Sequence, residues 1–218
     1  MSILQLDQVG YSYTGTRQRV QVLRDISYQF SPGSVYGIVG RSGAGKTTLL
    51  SLLSGLTLPT SGRVLFDGRD LAACDRYRYR SRDVGVVFQS FNLLPSLTAT
   101  ENIVLSMHIS GKQYRDYRGH ALKLLQKVGI EREKADRRVL HLSGGEQQRV
   151  AIARALSYDP AVILADEPTG NLDETTQDQV MAILTQLAHR ENKCVIIVTH
   201  SPAVARQVDM LYKLAPLQ

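Results

Sequence analysis

The sequence is short of cysteine and has no long hydrophobic run. Its two cysteines, Cys74 and Cys194, match no spacing of metal ligands. Cys194 lies in an apolar run that we predict to be a buried strand, so we expect a packed free thiol and no disulfide. No apolar run approaches the roughly 18–20 residues of a membrane-spanning helix. The N-terminus also lacks a basic segment followed by an apolar stretch, so we expect no secretory signal and a cytoplasmic location.

Repeats and linkers are missing as well. No internal repeat, low-complexity tract or linker rich in proline and serine divides the 218 residues. A chain of this length can form one sizeable α/β domain or two small ones. We predict a single domain over residues 1–218.

Short apolar runs recur along the chain, and runs of this length without alternation are typical of strands buried on both faces of a parallel sheet. These runs are Val35–Val39, Val84–Phe88, Ala161–Ala165 and Val195–Val198. Between them apolar residues fall at helical spacing, as they do at Ala121, Leu124, Leu125 and Val128. Strands that alternate with helices predict the α/β class.

Two regions depart from this alternation. Ile3–Val9 and Val20–Phe30 are predicted strands joined by a turn that contains Gly15, so an antiparallel β subdomain should occupy about residues 1–30. From about Ser90 to Leu140 the pattern is mostly helical. With the helix that follows, it predicts an inserted α-helical subdomain over about residues 90–158.

The chain has a net charge of +6, and its densest basic patch is residues 76–82, where arginine and tyrosine alternate. Proteins that bind single-stranded nucleic acid use such alternation for stacking and phosphate contact. The simpler interpretation, which we favour, is a solvated connecting helix before the strand at Val84–Phe88. Proximity to anionic lipid headgroups is the better functional alternative, and we expect no nucleic-acid partner.

A phosphate-binding loop is the first chemical signal. Residues 40–47 fit G-x-x-x-x-G-K-[ST], whose backbone N–H groups cradle phosphates. A predicted strand precedes the loop and a predicted helix follows it, which places phosphates at a helix N-terminus. Lys46 should contact the β- and γ-phosphate oxygens, and the Thr47 hydroxyl should ligate Mg²⁺. The predicted nucleotide contacts are Gly40, Ser42, Gly43, Ala44, Gly45, Lys46, Thr47 and Thr48.

A pair of acids ends the run Ala161–Ala165. Asp166 and Glu167 should emerge at the carboxyl edge of the sheet, where α/β proteins bind ligands. Asp166 is a predicted Mg²⁺ ligand, and Glu167 is the predicted general base that activates water. An acidic helix cap beside Pro168 is the alternative, but the phosphate loop favours the catalytic interpretation.

A third signal is Leu142-Ser143-Gly144-Gly145-Glu146, which opens a predicted helix. Two glycines expose backbone N–H groups and the serine adds a hydroxyl, which would suit a second anion site. Ser143 followed by Glu146 is equally a capping box. The residues alone do not decide between these interpretations.

Together, the three segments resemble the nucleotide-binding domain of an ABC transporter, and the resemblance covers nearly the whole chain. It implies an ATPase that dimerises head-to-tail around two ATP molecules with Mg²⁺. The dimer would drive a separately encoded membrane permease from the inner face of the cell membrane. In ABC ATPases the signature segment meets the γ-phosphate that the other subunit holds, so Ser143, Gly144, Gly145 and Glu146 are implied nucleotide contacts.

The resemblance also assigns single residues. Gln89 matches the glutamine that touches Mg²⁺ and senses the membrane partner, and His200 matches the switch histidine at the γ-phosphate. Tyr13, with Tyr11 as the alternative, matches the aromatic that stacks on adenine, and Asp173 lies in a loop that crosses the dimer interface. The implied catalytic residues are Glu167, His200 and Gln89. The implied metal contacts are Thr47, Gln89 and Asp166.

The segments Thr169–Asp173 and Phe91–Pro95 resemble one branch of the family. This branch contains macrolide exporters, lipoprotein-releasing ATPases, haem and antimicrobial-peptide efflux pumps, and a cell-division ATPase. The alternative is a soluble ABC ATPase without cargo, of the cell-division or iron–sulfur scaffold type. DNA-repair types are disfavoured because no heptad coiled coil lies between Lys46 and Leu142, and translation types carry two cassettes.

The segment Ser90–Leu97 holds four large apolar residues between polar neighbours. Exposed apolar clusters commonly mark docking sites, and the resemblance implies that this region receives a short helix of the permease. Core packing of these side chains is the alternative, and the sequence leaves it open.

Overall fold

The strands form two separate sheets in the computed structural model, which describes residues 2–14 and 19–216. The first sheet is antiparallel and has the order β2-β1-β4-β5. Its strands are β1 (Leu4–Thr14), β2 (Arg19–Phe30), β4 (Ser61–Phe66) and β5 (Arg69–Asp70). The predicted turn at Gly15 lies outside the described residues.

The antiparallel sheet corrects one expectation, because β4 and β5 lie outside residues 1–30. These two strands form a hairpin in which Phe66 pairs with Arg69. Between them Asp67 and Gly68 both have positive φ angles, 48° and 74°. Asp-Gly is a preferred pair for such two-residue turns. The sequence therefore contains a local hairpin signal at Asp67-Gly68, and the predicted bounds of the β subdomain were too narrow.

The second sheet is parallel throughout and has the order β6-β7-β8-β3-β9. Its strands are β3 (Val35–Val39), β6 (Val84–Val87), β7 (Val162–Asp166), β8 (Cys194–Thr199) and β9 (Met210–Lys213). Strands β7, β8 and β3 are neighbours, so the loops that follow their carboxyl ends lie side by side. This arrangement confirms the predicted α/β class and positions the site.

Eight helices accompany the sheets in the described part of the chain. They are α1 (Lys46–Leu53), α2 (Arg76–Arg78), α3 (Ala99–Ser110), α4 (Tyr117–Lys127), α5 (Arg132–Ala135), α6 (Gly144–Ala155), α7 (Glu174–Glu191) and α8 (Pro202–Ala205). Helices α3 to α6 lie between β6 and β7 in the chain and pack on one another. None of the described helices is long and apolar enough to cross a membrane.

Strand β7 shows why the parallel strands are continuous apolar runs. Ile163 and Ala165 belong to a core shared with helices α3, α4, α6 and α7. Val162 and Leu164 point to the other face, into a core shared with α1 and the antiparallel sheet. Both faces of the strand are therefore buried, as the run predicted.

Residues 76–82 differ from the predicted solvated helix. Helix α2 is followed by a π-helical segment, Tyr79–Asp83. Tyr79 is buried and its hydroxyl donates to the carbonyl of Leu53 at 2.8 Å, whereas Tyr77 is exposed. The expectation was wrong for Tyr79, because the π-helical segment turns this ring into the core.

Candidate active site

The phosphate loop connects β3 to α1 and packs closely against its surroundings. Gly45 has a φ of 91°, and a Cβ there would lie 2.8 Å from a methyl carbon of Val22. A Cβ at Gly40 would lie 2.6 Å from the carbonyl oxygen of Leu214. The Lys46 ammonium donates to the carbonyl of Gly40 at 2.8 Å and thereby spans the loop. The glycines are required by backbone conformation and by close approach.

A cleft of about 850 Å³ opens beside this loop. Its lining residues include four polar side chains from outside the loop that lie at or just after the end of a strand of the parallel sheet: Gln89, Asp166, Glu167 and His200. The structure thus brings together the predicted base, the predicted metal contacts and the phosphate loop. Val22 of β2 also lines the cleft, and no sequence signal pointed to it.

Glu167 is held in the cleft by both its backbone and its side chain. Its φ is 46°, a conformation that non-glycine residues adopt rarely and that is held by a bond from its N–H to the carbonyl of Val198. One carboxylate oxygen lies 2.6 Å from Nδ1 of His200. The other accepts the Thr199 hydroxyl at 3.1 Å and the His200 N–H at 3.3 Å. The side chain is therefore fixed at the end of β8, and no sequence signal pointed to the part played by Thr199.

The pKa of Asp166 is subject to opposing electrostatic effects. Burial, and then the neighbouring Glu167 carboxylate, raise the pKa of the Asp166 carboxyl, while Lys46 opposes the shift. A carboxylate in such a place gains from an added cation, because a cation offsets both the desolvation and the like-charge repulsion. This is the electrostatic environment expected of a metal ligand.

The donor set in the cleft fits Mg²⁺. Among the described residues, no group of three or more His, Cys, Asp and Glu side chains forms a metal cage. Mg²⁺ does not need one, since it prefers oxygen ligands and usually takes one or two carboxylates together with substrate phosphates and water. Asp166 supplies a carboxylate, Thr47 a hydroxyl and Gln89 an amide oxygen. The amide nitrogen of Gln89 lies 3.4 Å from Oδ1 of Asn171, which leaves its oxygen for the metal.

Tyr13 lies beside the cleft at the end of β1. Its hydroxyl is 3.1 Å from the Thr48 hydroxyl, and the residue is 51% exposed. The Tyr11 ring packs edge-on against it, with 4.9 Å between centroids, and Tyr11 is buried more deeply, with a hydrophobic core behind it. Of the two candidates, Tyr13 is the one whose ring is open to a base.

The signature segment lies outside the cleft, and its capping box is present. The Ser143 hydroxyl accepts the Glu146 N–H at 3.3 Å, and the Glu146 carboxylate accepts the Ser143 N–H at 2.8 Å. Glu146 also contacts Lys134 at 3.0 Å, and its pKa is lowered first by the bond from the Ser143 backbone. The carboxylate of Glu146 is therefore committed to its own chain. Ser143 and Gly144 remain exposed at the N-terminus of α6.

Asp173 is likewise outside the cleft, where it caps α7. Its carboxylate accepts the Thr176 N–H at 3.0 Å and the Thr176 hydroxyl at 2.6 Å, and these bonds lower its pKa. Thr176 in turn lies against the signature, because a Cβ at Gly145 would lie 2.3 Å from its methyl carbon. The segment after Glu167 and the signature segment are therefore packed together in one subunit.

Arg154 of α6 is a functional candidate that sequence patterns did not reveal. Its guanidinium donates to the carbonyl of Phe91 at 3.0 Å and also to the carbonyl of Asn92. Phe91 and Asn92 both have positive φ angles, 61° and 51°. This side chain ties the segment after Gln89 to the signature helix.

Comparison with known proteins decides the family. The family model described as "ABC transporter" matches residues 23–170. The chain belongs to the ABC transporter family. As a member, it is an ATP-binding ATPase that uses ATP and Mg²⁺.

Two relatives and one solved structure illustrate the similarity. The uncharacterized ABC transporter ATP-binding protein YclH of Bacillus subtilis is 46% identical, and the match covers 99% of this chain and 94% of that protein. The lipoprotein-releasing system ATP-binding protein LolD of Xanthomonas campestris is 38% identical, with coverage of 98% and 90%. The dimeric post-hydrolysis structure of the ATP-binding cassette MJ0796, bound to ADP and Pi, matches with a TM-score of 0.89, 34% identity and coverage of 99% and 97%. The similarity to LolD confirms the predicted resemblance of this chain to the branch that contains lipoprotein-releasing ATPases.

Proposed function

We propose that this chain is the ATPase subunit of an exporter and that residues 1–218 act as one nucleotide-binding domain. Two copies would pair head-to-tail around two ATP molecules and drive a separately encoded permease from the inner face of the cell membrane. The observation that carries the proposal is the separation of two anion-binding elements in one chain. The exposed N-terminus of α6 lies outside the cleft that contains the phosphate loop. A second copy is the natural source of the missing element, and MJ0796 forms a dimer.

One set of cleft residues would bind and orient the nucleotide for hydrolysis. Backbone N–H groups of the loop and Lys46 would hold the β- and γ-phosphates. Mg²⁺, held by Thr47, Asp166 and Gln89, would supply positive charge against those phosphates. These groups bind and orient the substrate.

Glu167 would take the proton of the attacking water. Its carboxylate is held from two sides by Thr199 and His200, so its position is set before substrate binds. His200 is well exposed, and its imidazole would reach the γ-phosphate. A fixed base next to an exposed histidine is consistent with the roles implied by the family.

The permease would dock in a groove between α3 and the edge strand β6, which we call the docking groove. Its walls include Val86, Phe88 and Ser106, and its volume is about 290 Å³. Leu56 lines the groove and is exposed, which a free surface would not favour for a large apolar side chain. Leu105 and Ile109 are exposed on α3, the helix that supplies the groove residue Ser106, and the hydroxyl of the exposed Tyr77 donates to the carbonyl of Ile109. We call these four exposed side chains the apolar rim.

The segment predicted to dock, Ser90–Leu97, exposes only one of its four large apolar side chains. Leu93 is half-buried and packs against the helical core, whereas Leu94 is exposed. Leu94 is tied to α3 because its N–H donates to Asn102 at 2.8 Å. The apolar rim of α3 is therefore the better test of docking.

The test is the double variant Leu105→Glu with Ile109→Glu. Both side chains are exposed, at 37% and 55%, so the isolated subunit should fold and bind ATP. Its co-purification with a multi-span permease from detergent-solubilised membranes, and stimulation of its ATPase by that permease, should be lost. Met210→Glu, an exposed apolar site on β9, is the matched control and should retain both. Full co-purification of the double variant would contradict docking at this groove, and purification with no permease at all would favour a non-transport ATPase.

A further inference from the structure

The docking groove carries positive charge without a counterion. Arg80 and Arg154 both line it, and none of its lining residues is an Asp or Glu. Across the described residues, neither arginine lies within 4.0 Å of an Asp or Glu oxygen. The two guanidiniums therefore share a small apolar groove with no negative partner from the described part of this chain.

Both guanidiniums are held in place by neutral groups. Arg80 donates to the carbonyl of Gly55 at 2.9 Å, and Arg154 donates to the carbonyl of Phe91 at 3.0 Å. The nearby Tyr158 hydroxyl donates to the carbonyl of Val84. Carbonyl dipoles orient the cations but leave the net charge in place. Burial lowers the pKa of Arg154, which is the mark of a cation removed from water.

Such an arrangement is costly in the isolated subunit, because a desolvated charge is stabilised only when it is paired. A carboxylate brought by another molecule would remove that cost. Leu56 of the apolar rim lines the groove together with both arginines, and an apolar surface beside a groove favours a helix that lays one face into it. At about 290 Å³ the groove has room for a few side chains rather than for an extended ligand.

We propose that the docking groove recognises an acidic side chain, Asp or Glu, on a short cytoplasmic helix of the permease, and that Arg80 and Arg154 pair with it. This inference rests on the proposed function, because it takes the permease as the occupant. It adds the chemistry by which the permease is recognised. Apolar contacts at the rim would supply area, and the ion pair would fix the register of the helix.

Cross-linking in the intact complex identifies the occupant. A photo-reactive amino acid replaces Leu56 on the rim, and the complex is irradiated in native membranes before mass spectrometry. The cross-linked peptide should come from a cytoplasmic segment of the permease and contain Asp or Glu within one helical turn of the linked residue. A permease segment without a carboxylate at that distance would overturn the inference while leaving the proposed function standing. A cross-link to lipid would overturn it in favour of lipid phosphate.

Charge exchange then tests the pair in the reconstituted complex. Arg80→Glu should lower permease-stimulated ATPase by about tenfold or more, because it places two carboxylates together. Replacing the cross-linked permease acid with Arg should restore the activity. Arg80→Lys should retain most of it, and Arg190→Glu on α7 is the control for a change of surface charge.

Arg80→Gln guards against loss of folding, because it removes the charge and keeps a donor for the Gly55 carbonyl. It should also lose stimulation, though less than Arg80→Glu does, with an unchanged melting temperature. Full stimulation in both Arg80→Gln and Arg80→Glu would overturn the inference. Both variants are also tested for binding to mixed vesicles of phosphatidylcholine and phosphatidylglycerol. If the two lose vesicle binding to the same extent and the permease variant restores neither, the arginines bind lipid instead.

Discussion

The carboxylate of Glu167 and the imidazole of His200 lie 2.6 Å apart across the carboxyl ends of two neighbouring strands. Their exposure differs sharply, since the Glu167 side chain is 13% exposed and that of His200 is 71% exposed. The buried partner is also held by Thr199 and by its own left-handed backbone conformation. The pair therefore joins a fixed carboxylate, the proposed general base, to a histidine that is free to face a ligand.

Tyr13→Ala should raise the dissociation constant of ATP roughly tenfold, because stacking on an aromatic ring contributes about 1–3 kcal/mol per base. Tyr13→Phe keeps the ring and should bind ATP nearly as the wild type does. Inorganic tripolyphosphate has no base, so its affinity should be equal in all three proteins. Isothermal titration calorimetry measures these constants. An equal loss of affinity for tripolyphosphate would assign Tyr13 to the loop rather than to the adenine.

Ser143→Arg should separate binding from turnover. A bulky cation replaces the small hydroxyl beside Gly144, so dimer formation and ATPase should fall roughly a hundredfold while ATP affinity of the monomer stays constant. Ser143→Ala is the control for loss of the helix cap. It lowers stability by about 1 kcal/mol but adds no bulk at the N-terminus of α6. Should monomer affinity fall as steeply as turnover, Ser143 belongs to the nucleotide site of its own chain.

Asp166→Asn should be more stable than the wild type at neutral pH when Mg²⁺ is absent, yet inactive. Burial raises the pKa of Asp166, so the folded protein disfavours its charged form. Below the pKa of the unfolded chain both states are protonated and the penalty is absent. The penalty grows as pH rises above that pKa and is complete once pH exceeds the folded pKa.

The difference in melting temperature between variant and wild type should thus be absent at acid pH and greatest at neutral pH. Thermal melts in EDTA measure it. In Mg²⁺ and ATP the order should reverse, because only the wild type gains from the metal. A variant that melts below the wild type at neutral pH in EDTA would contradict the assigned cause.

Local signals allowed much of the site to be predicted. The phosphate loop and the Asp166-Glu167 pair are contiguous in sequence, and their chemistry depends on neighbours one or two residues away. The strands were predictable because burial on both faces forces continuous apolar runs. The structure then places Gln89 and His200 in the same cleft as these segments.

What escaped prediction depends on distant partners. Arg154 donates to carbonyl oxygens more than sixty residues earlier in the chain, and no pattern in α6 indicates backbone acceptors at that distance. The burial of Tyr79 depends on a π-helical segment, which has no strong sequence signature. The Asp67-Gly68 turn is a different case, because its signal is local: an Asp-Gly pair between two strands is itself typical of a hairpin.

The central claim, that ATP joins two copies of this chain, is tested most directly by light scattering on Glu167→Gln. This variant keeps the phosphate loop and Asp166 but lacks the base, so it should bind Mg-ATP and lose turnover at least roughly a hundredfold. Its mass should double from monomer to dimer on addition of Mg-ATP and stay unchanged with Mg-ADP. Glu167→Gln combined with Ser143→Arg should remain monomeric in both nucleotides. A Glu167→Gln protein that binds Mg-ATP and stays monomeric at every concentration would contradict the account.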